Sequence, residues 1–230
     1  MSVALIVVAA GRGLRMGKQV NKLYLDLNGK PLLYYSLRAC LAAGCFGQFI
    51  IVVSPGEEEL FRREILLPYF TELNPVIVAG GSERQDSVFN GLQVVDPLSR
   101  IVCVHDGARP LVSPPLIDRV LQAAARNGAA LAAVPVKDTV KRVSEDGVVV
   151  ETPSRNSLWL AQTPQAFRLD WLLDAYRRAA AENCRATDDA SLLEHYGYAV
   201  HAVRGDYRNL KITTPEDLIL AGALLKEAEK

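Results

Sequence analysis

Apolar runs of about strand length alternate with segments of helical spacing along most of the chain. The strand-like runs are 3–9, 49–53, 76–79, 101–105, 130–134 and 199–203. Apolar spacing typical of helices marks 31–43, 57–67, 83–94, 115–127, 170–183, 188–196 and a closing helix from Pro215. The repetition of strand and then helix predicts an α/β fold, with a mostly parallel sheet that carries helices on both faces.

The alternation breaks after Pro135. Residues 138–143 and 148–151 flank Ser144-Glu145-Asp146-Gly147, and an Asp-Gly turn between two such runs predicts an antiparallel hairpin. An isolated two-stranded ribbon is marginally stable in water. We therefore expect one domain over 1–230 with a protruding β-arm inserted at 136–154, and we expect this arm to pack against a second copy of the chain.

Composition excludes some classes of partner. Half of the 230 residues are apolar, 23% are charged and the formal net charge is zero, which predicts no general attraction to nucleic acid or to a membrane. The apolar N-terminus is only about one strand long and has no basic leader, so we expect a cytoplasmic protein. The four cysteines are scattered and form no C-x-x-C pair, which favours free thiols.

A loop rich in glycine and basic residues follows the first apolar run. It reads Ala10-Gly11-Arg12-Gly13-Leu14-Arg15-Met16-Gly17-Lys18, with Lys22 shortly after. Glycines let the backbone turn tightly and bring N–H groups close to an anion. The added cations favour a triphosphate over the pyrophosphate of a dinucleotide.

Two common phosphate-binding patterns fail on this loop. In the dinucleotide pattern G-x-G-x-x-G, the third glycine would come one place late. In the P-loop pattern, the first glycine would fall on Arg12 and the Ser or Thr on Gln19. The loop by itself still leaves a solvated basic surface turn open as the alternative.

Four further stretches, together with residues 9–22, resemble in order the family of 2-C-methyl-D-erythritol 4-phosphate cytidylyltransferases. They are Gly80-Gly81-Ser82-Glu83-Arg84-Gln85-Asp86-Ser87-Val88, Val104-His105-Asp106-Gly107-Ala108-Arg109-Pro110, Arg155-Asn156-Ser157-Leu158-Trp159-Leu160-Ala161-Gln162-Thr163-Pro164-Gln165, and Asn209-Leu210-Lys211-Ile212-Thr213-Thr214-Pro215-Glu216-Asp217-Leu218. Two positions depart from the family pattern, since Gly107 stands where alanine is usual and Ser82 where aspartate is common. The five motifs span nearly the whole chain.

The resemblance implies a fold and a reaction. The fold is a Rossmann-like nucleotidyltransferase core whose β-arm exchanges contacts in a homodimer. The reaction transfers CMP from CTP to 2-C-methyl-D-erythritol 4-phosphate and releases pyrophosphate. Ribitol 5-phosphate cytidylyltransferases share the same motifs and remain the alternative enzyme.

The resemblance also implies roles for particular residues. Arg15 and Lys22 would stabilise the transition state, and Arg155 and Lys211 would hold the attacking phosphate in line. The nucleotide would contact Ala9, Ala10, Gly11, Arg12, Gly13, Gly81, Ser82, Ser87, Asp106 and Gly107. The polyol phosphate would contact Asp106, Arg109, Thr139, Thr163 and Thr187, with Arg109 and Thr139 reaching it from the neighbouring subunit.

Three interpretations stay open at this point. Mg²⁺ would be held mainly by the CTP phosphates, and Asp106 would contact it directly, contact it through water, or bind a hydroxyl instead. Thr187 could serve equally as the N-cap of a helix that begins at Asp188. A non-catalytic nucleotide-binding regulatory module would keep the fold, but the joint presence of Arg15, Lys22, Arg155 and Lys211 argues against it.

Overall fold

The computed structural model describes residues 2–11 and 21–228. The strands are β1 (Val3–Ala9), β2 (Asp26–Leu27), β3 (Lys30–Pro31), β4 (Gln48–Val53), β5 (Val76–Ala79), β6 (Ile101–Asp106), β7 (Ala129–Pro135), β8 (Arg142–Val143), β9 (Val149–Glu151), β10 (Trp159–Arg168) and β11 (His201–Arg204). The helices are α1 (Leu32–Ala42), α2 (Glu58–Phe61), α3 (Leu67–Tyr69), α4 (Arg84–Leu92), α5 (Pro114–Asn127), α6 (Leu169–Glu182), α7 (Asp189–His195) and α8 (Pro215–Ala228).

Seven strands form one mixed, mostly parallel sheet in the order β11-β7-β10-β6-β1-β4-β5. β10 runs antiparallel to both of its neighbours, and the other adjacent pairs are parallel. After β1 the chain moves to β4 and β5 on one side and returns to β6 on the other. Open α/β sheets bind ligands at such a reversal, outside the carboxyl ends of the strands.

Alternating side chains of β1, an interior strand of the sheet, pack into two cores. Leu5 and Val7 of β1 belong to a core on one face with helices α1 and α5, while Ala4 and Ile6 belong to a core on the other with α4, α6 and α7. These four side chains are fully buried. The prediction of a parallel sheet with helices on both faces is therefore confirmed.

The structure differs from the sequence prediction at 57–67 and at β10, and the short paired strands β2 and β3 were not predicted either. The helix predicted over 57–67 is divided into α2, a π-helical turn (Arg62–Leu66) and α3. The ten-residue strand β10 was not predicted as a strand. Its interior holds Pro164, which cannot donate to a strand ladder, and its pairing with β7 shifts register between Ala161 and Gln165.

The predicted antiparallel hairpin is present as a separate sheet made of β8 and β9. Its turn is closed by a hydrogen bond from the N–H of Ser144 to the carbonyl of Val148 (2.9 Å), and Gly147 has a φ of 82°. Val148, Val149 and Val150 are 62%, 54% and 52% exposed, so the hairpin presents apolar surface to solvent. Within residues 2–11 and 21–228, no helix has the length and the apolar composition needed to span a membrane.

Candidate active site

A cavity of about 670 Å³ opens at the carboxyl edge of the sheet. The turns after β1, β5 and β6 line it, together with the start of α4 and the segment before α8. Ten of its lining residues are Ala10, Gly11, Lys22, Gly80, Gly81, Ser82, Arg84, Ser87, Asp106 and Lys211. Four sequence motifs that are far apart along the chain therefore contribute to one cavity.

Asp106, the last residue of β6, lies at the centre of a cluster of cations. Lys211 Nζ is 2.8 Å from Asp106 Oδ2, Arg84 Nε is 3.1 Å from Oδ1, and Arg109 Nε is 3.9 Å from Oδ2. Burial by itself would raise the pKa of Asp106, but the three positive charges outweigh burial and hold its pKa well below the ordinary value. The carboxylate is therefore ionised and orients the surrounding cations.

Lys211 reaches Asp106 because the chain before α8 is docked on the turn after β6. The N–H of Ile212 donates to the carbonyl of Ala108 (2.8 Å). The carboxylate of Asp217 accepts the N–H of Thr213 (2.7 Å), which fixes the start of α8. Lys22 approaches the same segment, since its Nζ donates to the carbonyl of Ile212 (2.6 Å).

Arg84 is a site residue to which the sequence analysis gave no role. As the first residue of α4, it joins Asp106 to Asp189, with 2.9 Å between its Nη2 and Asp189 Oδ2. Asp189 is fully buried and also accepts the Tyr176 hydroxyl. The acidic partners of Arg84 are 22 and 105 residues away along the chain, so no local pattern indicated this contact.

Asn21 anchors the end of the glycine and arginine loop. Its Nδ2 donates to the carbonyl of Ala9 (3.1 Å) and to Glu57 Oε2 (2.8 Å), and its Oδ1 accepts the N–H of Leu23. These bonds tie Asn21 to the end of β1 and set the position of the neighbouring Lys22. The predicted residues Arg12, Gly13 and Arg15 lie outside the described residues.

The turn between β5 and α4 leaves no room for side chains at its two glycines. A Cβ at Gly80 would lie 2.4 Å from Ala10 Cβ, and one at Gly81 would lie 2.3 Å from Asp86 Cβ. The hydroxyl of Ser87 accepts the N–H of Gly81 (3.1 Å) and donates to the carbonyl of Glu83 (3.0 Å). The hydroxyl of Ser82 donates to Asp86 Oδ2 (2.6 Å). Both serines therefore also shape the turn that lines the cavity.

Gly107 brings the turn after β6 close to β1. Its N–H donates to the carbonyl of Val8 (3.0 Å), and its carbonyl accepts the Ser36 hydroxyl (2.8 Å). A Cβ at this position would lie 2.8 Å from Leu33 Cδ1. Neither Gly107 nor Ala9 is among the residues that line the cavity.

Thr163 is buried beneath Asp106. Its Oγ1 accepts the N–H of Asp106 (3.0 Å) and lies 3.1 Å from His105 Nδ1. His105 Nε2 faces the carbonyl of Arg109 at 3.4 Å, and because a carbonyl can only accept, Nε2 carries the proton of the neutral ring. Nδ1 is then the acceptor, and the threonine hydroxyl donates to it. Burial lowers the pKa of His105 to about 4, which keeps the imidazole neutral.

Three predicted residues lie away from the cavity within one chain. Thr187 is exposed, and Asp188, not Thr187, caps α7 by accepting the N–H of Ser191 (2.9 Å), so the N-cap interpretation of Thr187 is wrong. Arg155 is exposed at the base of the arm, and its Nη1 donates to the carbonyl of Lys137 (2.6 Å). Thr139 is exposed in the arm. One chain thus brings Lys211 into the cavity without Arg155.

The described residues form no group of three or more His, Cys, Asp or Glu side chains that could hold a metal ion. In those ranges, Glu83 and Asp106 are the acidic residues that line the cavity. Both Asp106 oxygens face cations. An ion bound here would therefore take most of its ligands from something other than these side chains.

Comparison with known proteins gives a consistent result. A family model described as 2-C-methyl-D-erythritol 4-phosphate cytidylyltransferase matches residues 3–227. The enzyme of that name from Pelotomaculum thermopropionicum is 52% identical over 224 residues, which cover 97% of this chain and 94% of the relative. The one from Caldanaerobacter subterraneus subsp. tengcongensis is 45% identical over 227 residues, which cover 99% of this chain and 100% of the relative.

Solved structures agree with these matches. The crystal structure of 2-C-methyl-D-erythritol 4-phosphate cytidylyltransferase from Thermus thermophilus has a TM-score of 0.81 and 34% identity, with 98% of this chain and 100% of that chain covered. The crystal structure of 4-diphosphocytidyl-2C-methyl-D-erythritol synthase from Anaerococcus prevotii has a TM-score of 0.84 and 34% identity, with 98% of both chains covered.

Proposed function

The chain belongs to the 2-C-methyl-D-erythritol 4-phosphate cytidylyltransferase family and transfers CMP from CTP to that polyol phosphate, and we propose that the cationic cavity around Asp106 is its active site. The observation that carries this proposal is the convergence of Lys22, Arg84 and Lys211 on one cavity that holds a single buried aspartate. Two phosphorylated, anionic substrates require such a concentration of positive charge. Glycine turns also line this cavity, and their backbone can lie close to a bound nucleotide.

In the reaction, an oxygen of the polyol phosphate attacks the α-phosphorus of CTP. A new bond forms between them, the bond from the α-phosphorus to its bridging oxygen breaks, and pyrophosphate leaves. Little covalent work falls to the protein in such a transfer, so catalysis depends on positioning and on charge stabilisation. Lys22 and Arg15 stabilise the charge that develops at the α-phosphorus, and Lys211, oriented by Asp106, holds the attacking phosphate in line.

The cytosine and ribose bind at the turn between β5 and α4 and at the end of β1. Ala10, Gly11, Gly81, Ser82 and Ser87 line this side of the cavity. The absence of side-chain space at Gly80 and Gly81 keeps the backbone close to the base, and a pocket built in this way fits a pyrimidine and excludes a purine. Ala9, Arg12, Gly13 and Gly107 belong to the same nucleotide-binding surface in this proposal.

A divalent cation such as Mg²⁺, bound with the triphosphate, would neutralise part of its charge. Mg²⁺ is usually held by one or two carboxylates together with substrate phosphates. Asp106 is the residue that we propose as its protein contact. One ionised carboxylate would be enough for this limited role, because the substrate phosphates would supply most of the ligands.

In this proposal, a second subunit completes the binding site for the polyol phosphate. Asp106, Thr163 and Thr187 contact the polyol phosphate from one subunit. Arg109 and Thr139 reach it from the other subunit, Thr139 from its arm, and Arg155 at the base of the arm helps to hold the attacking phosphate. The exposed apolar strand β9 supports such an interface, and so do the positions of Thr139 in the arm and Arg155 at its base.

The direct test is pyrophosphate release from CTP and Mg²⁺ in the presence of either acceptor. We expect turnover with 2-C-methyl-D-erythritol 4-phosphate and a kcat/KM at least about tenfold lower with ribitol 5-phosphate, equivalent to about 1.4 kcal/mol. If neither acceptor supports pyrophosphate release, the enzyme assignment is contradicted and a regulatory module is favoured. A preference for ribitol 5-phosphate would reassign the acceptor.

A further inference from the structure

The segment 184–190, which contains Thr187 and leads into α7, is held by side chains from two other elements. Within α7 itself, the Ser191 hydroxyl accepts the N–H of Asp188 (3.2 Å) and lies 3.4 Å from the Thr187 hydroxyl. The other side chains come from outside α7. They come from the first turn of α4 and from β10. The contacts fall on both sides of Thr187 along the chain.

Gln85 makes the contacts on the N-terminal side. Its Nε2 donates to the carbonyl of Cys184 (3.0 Å), and its Oε1 accepts the N–H of Ala186 (3.0 Å). One planar amide therefore fixes the backbone immediately before Thr187 at two points. A carboxamide can do this because it carries a donor and an acceptor together.

The neighbours of Gln85 on α4 hold the same segment. Arg84 bonds Asp189 at 2.9 Å, and Asp86 bonds Arg185 at 2.5 Å. Three consecutive side chains of one helical turn thus reach positions 184–189. This turn follows directly after Gly80, Gly81 and Ser82, which line the nucleotide side of the cavity.

Gln165 of β10 makes the matching contacts on the C-terminal side. Its Nε2 donates to Asp188 Oδ2 (2.7 Å), and its Oε1 accepts the N–H of Ala190 (3.1 Å). Gln165 is 1% exposed, so these bonds are shielded from water. The backbone of Thr187 therefore lies between two glutamine amides that each bind at two points.

We propose that Gln85 is a positioning residue for the polyol phosphate, and that it acts by holding Thr187 in register with the nucleotide turn. The proposal rests on the role of Thr187 in the proposed function. Both ends of the Gln85 amide are bonded to the backbone of residues 184 and 186, so Gln85 acts through this segment. Because in-line attack depends on orientation, a small displacement of Thr187 weakens binding of the acceptor without changing the pocket for CTP.

Steady-state kinetics of Gln85→Met test this proposal, since methionine keeps the length of the side chain and removes both hydrogen bonds. We expect the KM for the polyol phosphate to rise about tenfold and the KM for CTP to stay within about twofold. Gln85→Glu places a carboxylate oxygen against the carbonyl of Cys184, so it should raise the KM for the polyol phosphate at least as much as Gln85→Met does. Gln93→Met is the matched control, because Gln93 is exposed at the other end of α4, and it should behave as the wild type.

A double-mutant cycle with Thr187→Val separates positioning from general stability. If Gln85 acts through Thr187, the double variant should have a KM for the polyol phosphate less than about twofold above that of Thr187→Val alone. Additive effects, equal rises of both KM values, or no change in Gln85→Met would each overturn the proposal while turnover by the wild type stands. Absence of turnover by the wild type would overturn the proposed function and this inference together.

Discussion

A few buried polar residues set the charge of the candidate site. The surrounding structure fixes the protonation state of each of them. Asp106 is kept ionised by Arg84, Lys211 and Arg109 against the effect of burial. His105 directly precedes it and is kept neutral by burial. Thr163 joins the two, since its Oγ1 binds the N–H of Asp106 and faces His105 Nδ1.

The neutral state of His105 makes stability depend on pH. Its pKa is about 4 in the folded protein, against an ordinary value of 6.5, so the unfolded chain takes up the proton first. The contribution of His105 is complete above about pH 6.5 and is lost as pH falls towards 4, by about 3 kcal/mol in all. Urea unfolding at pH 7, 5.5 and 4.5 measures this loss.

The control for this prediction is His201, which is exposed on β11. We expect His105→Gln to lower stability at pH 7 and to flatten its dependence between pH 6.5 and 4. His201→Gln should leave the slope of the wild type unchanged. An equal slope in the wild type and in His105→Gln would contradict the assignment of this pH range to His105.

Motifs that carry their own signal led to predicted residues that the structure brings together, although their roles stay predictions. Lys22, Gly81, Ser87, Asp106 and Lys211 were all predicted as site residues and all line the cavity. Arg84 received no role, because an arginine at the start of a helix is ordinary and its acidic partners lie in other elements. Contacts that only tertiary folding creates leave no local pattern.

At the scale of elements, the close approach of the β5–α4 turn to the first turn of α4 sets the nucleotide side of the cavity. In Gly81→Ala, the new Cβ would lie 2.3 Å from Asp86 Cβ, so the turn or the helix must shift. We expect the KM for CTP to rise at least about tenfold and stability to fall by about 1–3 kcal/mol. Kinetics with CTP varied, together with urea unfolding, measure the two effects.

Gly47→Ala is the matched control for this change. A Cβ at Gly47 would lie 3.5 Å from Ser2 Oγ, an ordinary contact away from the cavity, so both quantities should stay at wild-type values. An unchanged KM for CTP in Gly81→Ala would show that the backbone of this turn does not contact the nucleotide.

An element could be predicted where its apolar residues form a clear run or show the spacing of a strand or helix. β1 and β5 were predicted with the bounds that the structure has, because both are short apolar runs that turn residues delimit. β10 was missed, since Pro164 interrupts it and its N-terminal part is exposed. β10 runs antiparallel to β6 and β7, and no local pattern in the sequence of β10 indicates this direction.

At the scale of the whole molecule, the arm provides the reason to expect a homodimer. Val148, Val149 and Val150 are all at least half exposed in one chain, although apolar residues in a two-stranded ribbon need a partner surface. Arg155, at the base of the arm, is not among the residues lining the cavity of its own chain. Both observations support an active site that two copies of the chain complete together.

Mixed dimers test whether the arm acts in trans. Lys22→Ala removes a cation from the cavity, and Thr139→Val removes a hydroxyl from the arm, so each homodimer is expected to have little activity. If the arm serves the other subunit, a mixed dimer contains one site with both defects and one intact site. Unfolding and refolding an equimolar mixture should then restore about a quarter of wild-type kcat, because half of the dimers are mixed and half of their sites are intact. An arm that serves its own subunit leaves every site defective, so a refolded mixture no more active than its separate components would rule out the shared site.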